Sequence, residues 1–286
     1  MLRTLPLVAI GLLVGWAVGR WGAPHLLAAL SASSLTRTNY RKRVLVAGLG
    51  LLLPLGLLTW AAALAVASRV APLRAEQLGV VVSQATLAVV IAGLAFAFLG
   101  LIDDLAEDGP VRGFRGHLGA LVAGRLTGGG AKLLGGGLAG VTVATLAVKG
   151  SAWVIVPAAL LVASAANVAN LFDLRPGRCL KVFLPLWLLG VALAPGPAAW
   201  SAGLAGASIG TLPTELREEG MLGDAGANAL GATVGALLAT GPWWLVVGAL
   251  VVLLGLQLAS ERISFTRVID GNSWLRRVDR LGRLPD

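Results

Sequence analysis

A chain of 286 residues that is 57% hydrophobic and only 13% charged, with a mean hydropathy of +0.83, lies far outside the composition of soluble globular domains. Its formal charge of +9 comes without a soluble basic module, which argues against nucleic acid as a partner. One cysteine, Cys179, excludes an intrachain disulfide and any multi-cysteine metal site.

A hydrocarbon core about 30 Å thick asks for about 20 apolar residues per helix, fewer where neighbours shield a span. By that measure nine helices are expected, running approximately from Leu5 to Val18, Val44 to Ala67, Val80 to Ile102, Leu133 to Val148, Ala152 to Leu171, Val182 to Leu193, Ala198 to Leu212, Ala225 to Ala239 and Trp243 to Ala259. The fold class is therefore an all-α, polytopic transmembrane helical bundle over residues 1–260. The first stretch lacks a convincing small-residue cleavage site and is expected to be a retained span. The 39 glycines suit close helix packing and backbone that lines a cavity. From Glu261 onward, "ERISFTRVIDGNSWLRRVDRLGRLPD" alternates apolar and basic residues, and residues 261–286 are expected to be an amphipathic cytosolic segment.

Basic residues set the orientation. With the N-terminus outside, the cytosolic segments hold Arg20, Arg37, Arg41, Lys42, Arg43, Arg112, Arg115, Arg125, Lys132, Arg175, Arg178, Lys181, Arg217 and six arginines after Glu261. The outer segments hold only Arg3, Arg69, Arg74 and Lys149. N-out and C-in is expected, and the same choice puts every acidic residue except Glu76 on the cytosolic side.

The motifs follow in chain order. Asp103 and Asp104 stand directly after an apolar run, with Glu107 and Asp108 just beyond, and "LIDDL" is expected where the third span frays into loop. "TGGGAKLLGGG" around Lys132 has the look of a phosphate loop, but a Walker motif needs Gly-Lys-Ser/Thr and this reads Ala-Lys-Leu, which excludes a P-loop ATPase. "NVANLFDLRPGR" spaces Asn167, Asn170 and Asp173 three apart, offering amide and carboxylate oxygens of the kind magnesium takes, and Arg175, Arg178 and Lys181 follow as candidate pyrophosphate partners. "GMLGDAGANALG" sets Asp224 among glycines near a helix start, where free backbone amides favour an anion. His25 and His117 are isolated and read as structural. Three separated parts of the chain thus bring acidic oxygens to one face, and a divalent cation held against phosphate is the chemistry expected there.

Taken in order, "NYRKR…GLG", "GLIDDL", "KLLGG", "NxxNLxD" and "GDxGxxxLG" resemble the polyprenyl-phosphate phosphosugar transferases, the family of the phospho-MurNAc-pentapeptide translocase and the N-acetylglucosamine-1-phosphate transferases, over nearly the whole chain. The resemblance implies a multi-pass enzyme of the cell (inner or plasma) membrane, commonly a homodimer, with a cytosolic site. Its Mg2+-dependent reaction moves a sugar-1-phosphate from a nucleotide-diphospho-sugar, UDP-linked in the usual case, to polyprenyl phosphate. Carried over by position, Asp103 and Asp104 match the paired aspartates that engage or activate the lipid phosphate. Asp173 matches a carboxylate at the nucleotide side, and these three are the expected catalytic residues. Asn170 and Asp224 match residues near the metal. Lys132 matches a lysine near the phosphates, and with Asn167, Arg175, Arg178, Asn39 and Arg41 makes the expected substrate-binding set.

The chain also departs from the family. Pro176 stands where a second carboxylate occurs in "NLTDGLDGL", and no histidine follows His117, so the histidine-rich loop is missing. Donor binding is expected to lean on phosphates and metal, with weaker contacts to base and sugar. The alternative is a non-catalytic relative that binds polyprenyl phosphate or acts as a membrane assembly partner. A phosphatidyl-alcohol synthase is excluded because its Asp-x-x-Asp-Gly-x-x-Ala-Arg pattern is absent; "DLAEDGPVRG" has the wrong spacing. The acidic residues gather at one membrane face, which argues against the midplane ion site of a coupled transporter.

Overall fold

The structure is a computed structural model that describes residues 3–71, 82–106, 116, 119, 122–124 and 127–285. Of the residues weighed above, Arg74, Glu76, Glu107, Asp108, Arg112, Arg115, His117 and Arg125 lie outside the described residues.

Eleven α-helices occur among the described residues: α1 (Leu5–Leu30), α2 (Leu52–Val70), α3 (Gln84–Leu105), α4 (Gly128–Ala147), α5 (Ala152–Phe172), α6 (Arg178–Leu193), α7 (Pro195–Leu216), α8 (Gly223–Ala239), α9 (Trp243–Ser260), α10 (Phe265–Gly271) and α11 (Ser273–Arg280). Each of the nine apolar runs corresponds to one of α1–α9. Local chemistry starts several of them. Ser83 accepts a hydrogen bond from Thr86 N at the head of α3, and Thr127 accepts one from Gly130 N at the head of α4. Five segments are long and apolar enough to cross a membrane: α1, residues 49–70, α3, α5 and α9. The chain is thus an all-α bundle of membrane-protein character.

The second run does not begin as helix at Val44. Thr36–Thr38 (β1) pairs antiparallel with Val44–Val46 (β2), Thr36 opposite Val46, and a 3-10 turn at Leu49–Leu51 leads into α2. Asn39 holds the turn between the strands: its Oδ1 accepts from the N–H groups of Arg41 and Arg43, and Lys42 takes φ +62°.

The bundle is built around α8 and α7. On α8 every residue from Ala225 to Ala239 is buried, and nearly all are Ala, Gly, Leu, Val or Thr. Small side chains let the backbones approach closely. Gly11, Gly15 and Gly19 recur every four residues along α1 and face α7, and a Cβ at Gly15 would stand 2.0 Å from the Gly203 carbonyl oxygen. Trp60 on α2 closes the same seam by donating its indole N–H to Ala199 O at 2.7 Å.

The terminal segment folds back onto the bundle. Phe265 stacks on Phe172 with ring centroids 5.3 Å apart, and Asp279 is buried against Arg178. The alternation that marked residues 261–286 as amphipathic becomes two short helices, α10 and α11.

Candidate functional site

Four helix ends converge. Asp103 lies near the C-terminus of α3, Lys132 near the N-terminus of α4, Asn170 near the C-terminus of α5 and Asp224 at the second residue of α8. Lys132 Nζ stands 2.7 Å from Asp103 Oδ2 and 2.8 Å from Asp224 Oδ2, and Asn170 Nδ2 donates to Asp224 Oδ2 at 2.8 Å. These groups are partly buried, with about a quarter of the Lys132, Asp103 and Asp224 side chains still reaching solvent.

Two more carboxylates fix the geometry from behind. The first N–H groups of a helix have no partner within it and carry partial positive charge. In α8 the first three are met from outside: Gly223 N donates to Asp173 Oδ2 at 3.1 Å, Asp224 N to Asp104 Oδ1 at 3.1 Å and Ala225 N to Asp104 Oδ2 at 3.0 Å. Close approach is required for this. Gly100 on α3 lies against the Asp224 carbonyl, 2.3 Å from where its Cβ would be, and Gly223 adopts φ +75°, with a built Cβ only 2.1 Å from Ala47 O. "LIDDL" therefore does not fray: the helix continues through both aspartates, and the 100° turn between them sends Asp103 to Lys132 and Asp104 to the head of α8. Arg37, on β1, donates to the Asp103 and Asp104 carbonyls at 3.3 and 3.4 Å and satisfies that helix end.

Asp173 stands just beyond α5. Removal of its carboxyl from water pushes its pKa well above the usual carboxylate range, and the neighbouring charges of Glu215 and Asp224 add to this, against the opposing hydrogen bond from Gly223.

Beside Asp173 lies a narrow cleft of about 30 Å³, lined among others by Asn39, Tyr40, Arg175, Glu215 and Glu218. Among the described residues, the buried Glu215 Oε2 and Arg175 Nη1 have no hydrogen-bond partner. The Arg175 guanidinium lies over the Tyr40 ring, 3.9 Å from its centroid. Glu218 accepts from Asn39 Nδ2 at 3.1 Å and from Tyr40 OH at 2.9 Å, and pairs with Arg41 Nε at 2.9 Å.

The residues expected at the site thus divide. Asp103, Asp104, Lys132, Asn170, Asp173 and Asp224 come together. Arg175 reaches the cleft. Asn167 does not join them: its amide donates to Gln257 Oε1 on α9 at 3.1 Å. Asn39 and Arg41 brace the hairpin, Arg41 also donating to the carbonyls of Leu284 and Pro285 at 3.2 and 2.6 Å. Arg178 is turned away from the cluster. Its side chain is buried and bonds Asp279 through Nε at 2.7 Å and Nη2 at 3.1 Å, and Thr266 through Nη1 at 3.0 Å. The reason in each case is a fixed partner that sequence distance hides.

Reasoning from sequence missed Arg37, Tyr40, Glu215 and Glu218. Tyr40 carried a faint signal as the only tyrosine in the chain, placed between Asn39 and Arg41. The glutamates sit in "TELREEG", which reads as an ordinary polar helix end.

No protein-family model matches this chain, and no curated protein matches it at a significant level.

Proposed function

We propose that the chain is a phosphosugar transferase of the plasma membrane, working at the cytosolic face, which passes a sugar-1-phosphate from a nucleotide-diphospho-sugar to polyprenyl phosphate. One observation carries the reading: Asp103, Lys132, Asn170 and Asp224, from four separate helices, meet at one end of an apolar bundle. A lipid phosphate must be brought against a diphosphate there, and a new P–O bond forms as the bond to the nucleoside monophosphate breaks. Lys132 lowers the repulsion between the two anions, and Arg37 at the rim adds a second positive charge.

Magnesium fits this donor set. Mg2+ is usually held by one or two carboxylates together with water and substrate phosphate. The Asp103 and Asp224 oxygens already converge on one cation, the Lys132 ammonium, with the Asn170 amide alongside. Asp103, Asp224 and Asn170 would hold the ion, which when bound supplies charge neutralisation for the transferring phosphoryl group. Asp104 and Asp173 keep Asp224 in place through the α8 amides. The nucleotide side of the donor would approach the narrow cleft beyond Asp173, which must widen to admit it, and Glu215 offers there a carboxylate from α7 in place of the one lost at Pro176.

A second reading has its own support. Asp103 and Lys132, Asp104 and the α8 amides, and Asp173 and Gly223 are each partnered within the protein, as a helix-locking network in a non-catalytic lipid-binding relative would be. Purified protein in lipid nanodiscs, given polyprenyl phosphate, Mg2+ and a panel of nucleotide-diphospho-sugars, separates the two. Lipid-linked diphospho-sugar that disappears with Asp224→Asn supports the transferase. Lipid-phosphate binding without product from any donor supports the non-catalytic relative.

A further inference from the structure

The terminal helix α11 has a free face that the candidate site does not use. Asp279 points into the bundle and is buried, which fixes the roll of the helix. Trp274 and Val278, at i and i+4 on α11, then share a face directed away from the bundle, exposed by 67% and 40%, and Leu281 just past the helix end is exposed by 70%. Arg276 and Arg277 beside them are exposed as well, as are Arg267 on α10 and Arg262 before it. Residues 262–286 hold six arginines against three aspartates. The segment follows α9, a helix apolar enough to cross a membrane, with α10 the one helix between α9 and α11.

An exposed tryptophan, valine and leucine in water would be a poor use of apolar surface, and a basic flank calls for an anionic neighbour. We infer that α11 is a peripheral lipid-binding element which lays Trp274, Val278 and Leu281 into the headgroup boundary of the protein's own membrane, with Arg276 and Arg277 on anionic lipid phosphates, in the roll set by the Arg178–Asp279 pair. The inference does not depend on the transferase reading. A soluble protein partner fits less well, because the face is one short helix wide, is flanked by arginines and follows a helix apolar enough to cross a membrane. Basic side chains at a membrane surface are each worth about 1 kcal/mol. Removing two therefore weakens docking about thirtyfold.

The test places a nitroxide at Leu281→Cys in a Cys179→Ala background, in the full-length protein reconstituted into nanodiscs. One set is made of phosphatidylcholine alone and the other contains phosphatidylglycerol at about a third of the lipid. A second probe at Asp270→Cys, an exposed polar position, serves as the aqueous reference. The expected result is that position 281 in anionic nanodiscs is accessible to oxygen and shielded from a water-soluble nickel chelate, while position 270 is not shielded. The shielding should fade in phosphatidylcholine, in high salt, and with Arg276→Gln/Arg277→Gln. Equal nickel access at 281 in both lipids overturns the inference. So does shielding that ignores lipid charge and disappears when the protein is diluted into excess nanodiscs, which marks contact between copies instead.

Discussion

Asp279→Asn tests whether the terminal segment is held by charge. The change keeps the size of the side chain and removes a carboxylate that accepts two hydrogen bonds from Arg178 and one from Arg283 Nη1 at 2.7 Å. The Arg178, Arg283 and Asp279 side chains are each no more than 6% exposed. Two guanidinium charges would then lack their buried counter-charge, a loss on the order of 3–5 kcal/mol when one partner of a buried pair is removed. What would still hold the segment is modest: the Phe172–Phe265 stack, worth about 1 kcal/mol, and a few bonds such as Lys181 Nζ to Asp279 O at 2.7 Å. Undocking of residues 273–285 should therefore become about 150-fold to several thousandfold more populated. Hydrogen exchange of α11, with α8 amides as internal reference, and tryptic cleavage after Arg276 and Arg277 both read this. The triple variant Arg178→Met/Asp279→Leu/Arg283→Met should recover most of the protection, since it replaces both guanidiniums along with their counter-charge. Unchanged exchange and cleavage in Asp279→Asn, within about threefold, would refute the reasoning.

Other expectations follow from the same geometry. Asp224→Asn and Asp104→Asn should leave the bundle folded, as judged by monodisperse elution, while lowering the proposed magnesium-dependent transfer by about a hundredfold or more, through lost charge at the phosphates in the first case and a displaced α8 head in the second. Gly15→Val should destabilise by ~3 kcal/mol or more, because its Cβ meets the Gly203 carbonyl; Gly255→Ala on α9, with nothing within 4 Å, should be silent in the same thermal unfolding assay. Acid should loosen the terminal segment. Burial alone would raise the Asp279 pKa, but the hydrogen bonds from Arg178 and the charges of Arg178, Arg283 and Lys181 outweigh it and hold it below 3.8. A carboxyl depressed by folding stabilises above its unfolded pKa and loses that contribution as pH falls through the folded value, so nicking of 273–285 by pepsin should rise below about pH 4.

The apolar runs predicted nine helices because twenty apolar residues in a row have few alternatives in lipid, and each run does contain one. The hairpin at 36–46 was hidden by continuity: Val44, Leu45 and Val46 prolong the apolar run of α2, and only the Asn39 turn chemistry hints that they pair with Thr36–Thr38. At the site, Asp103, Lys132, Asn170 and Asp224 were legible as polar residues interrupting the ends of apolar runs. Their division of labour was not. Nothing in "IDD" says that one aspartate meets an ammonium and the next caps a helix, since that depends on Gly100 letting α8 come within backbone contact. Arg178 was misplaced for a related reason: a positive charge next to a candidate site suggests phosphate, and its partner Asp279 lies a hundred residues away in a segment whose alternation reveals amphipathicity but not which residue turns inward.

The burial of α8 has a consequence for how the protein is made. At 17 residues α8 is about 26 Å long, shorter than the hydrocarbon core, and it carries Asp224 and the buried Asn228 among alanines and glycines. It is not among the segments apolar enough to cross a membrane alone. A nascent α8 leaving the translocon therefore gains little by moving into lipid, and must be received by protein. α3 and the residue just past α5, which supply the caps for its first turn, and α7, which helps to cover it, all precede it in the chain. The groove is ready before the helix arrives, and insertion of α8 should depend on those earlier helices already being assembled. Nascent chains stalled on a linker that follows Ala239 and is long enough to clear the ribosome should show α8 accessible to aqueous reagents when Gly100 is replaced by leucine and protected when it is not.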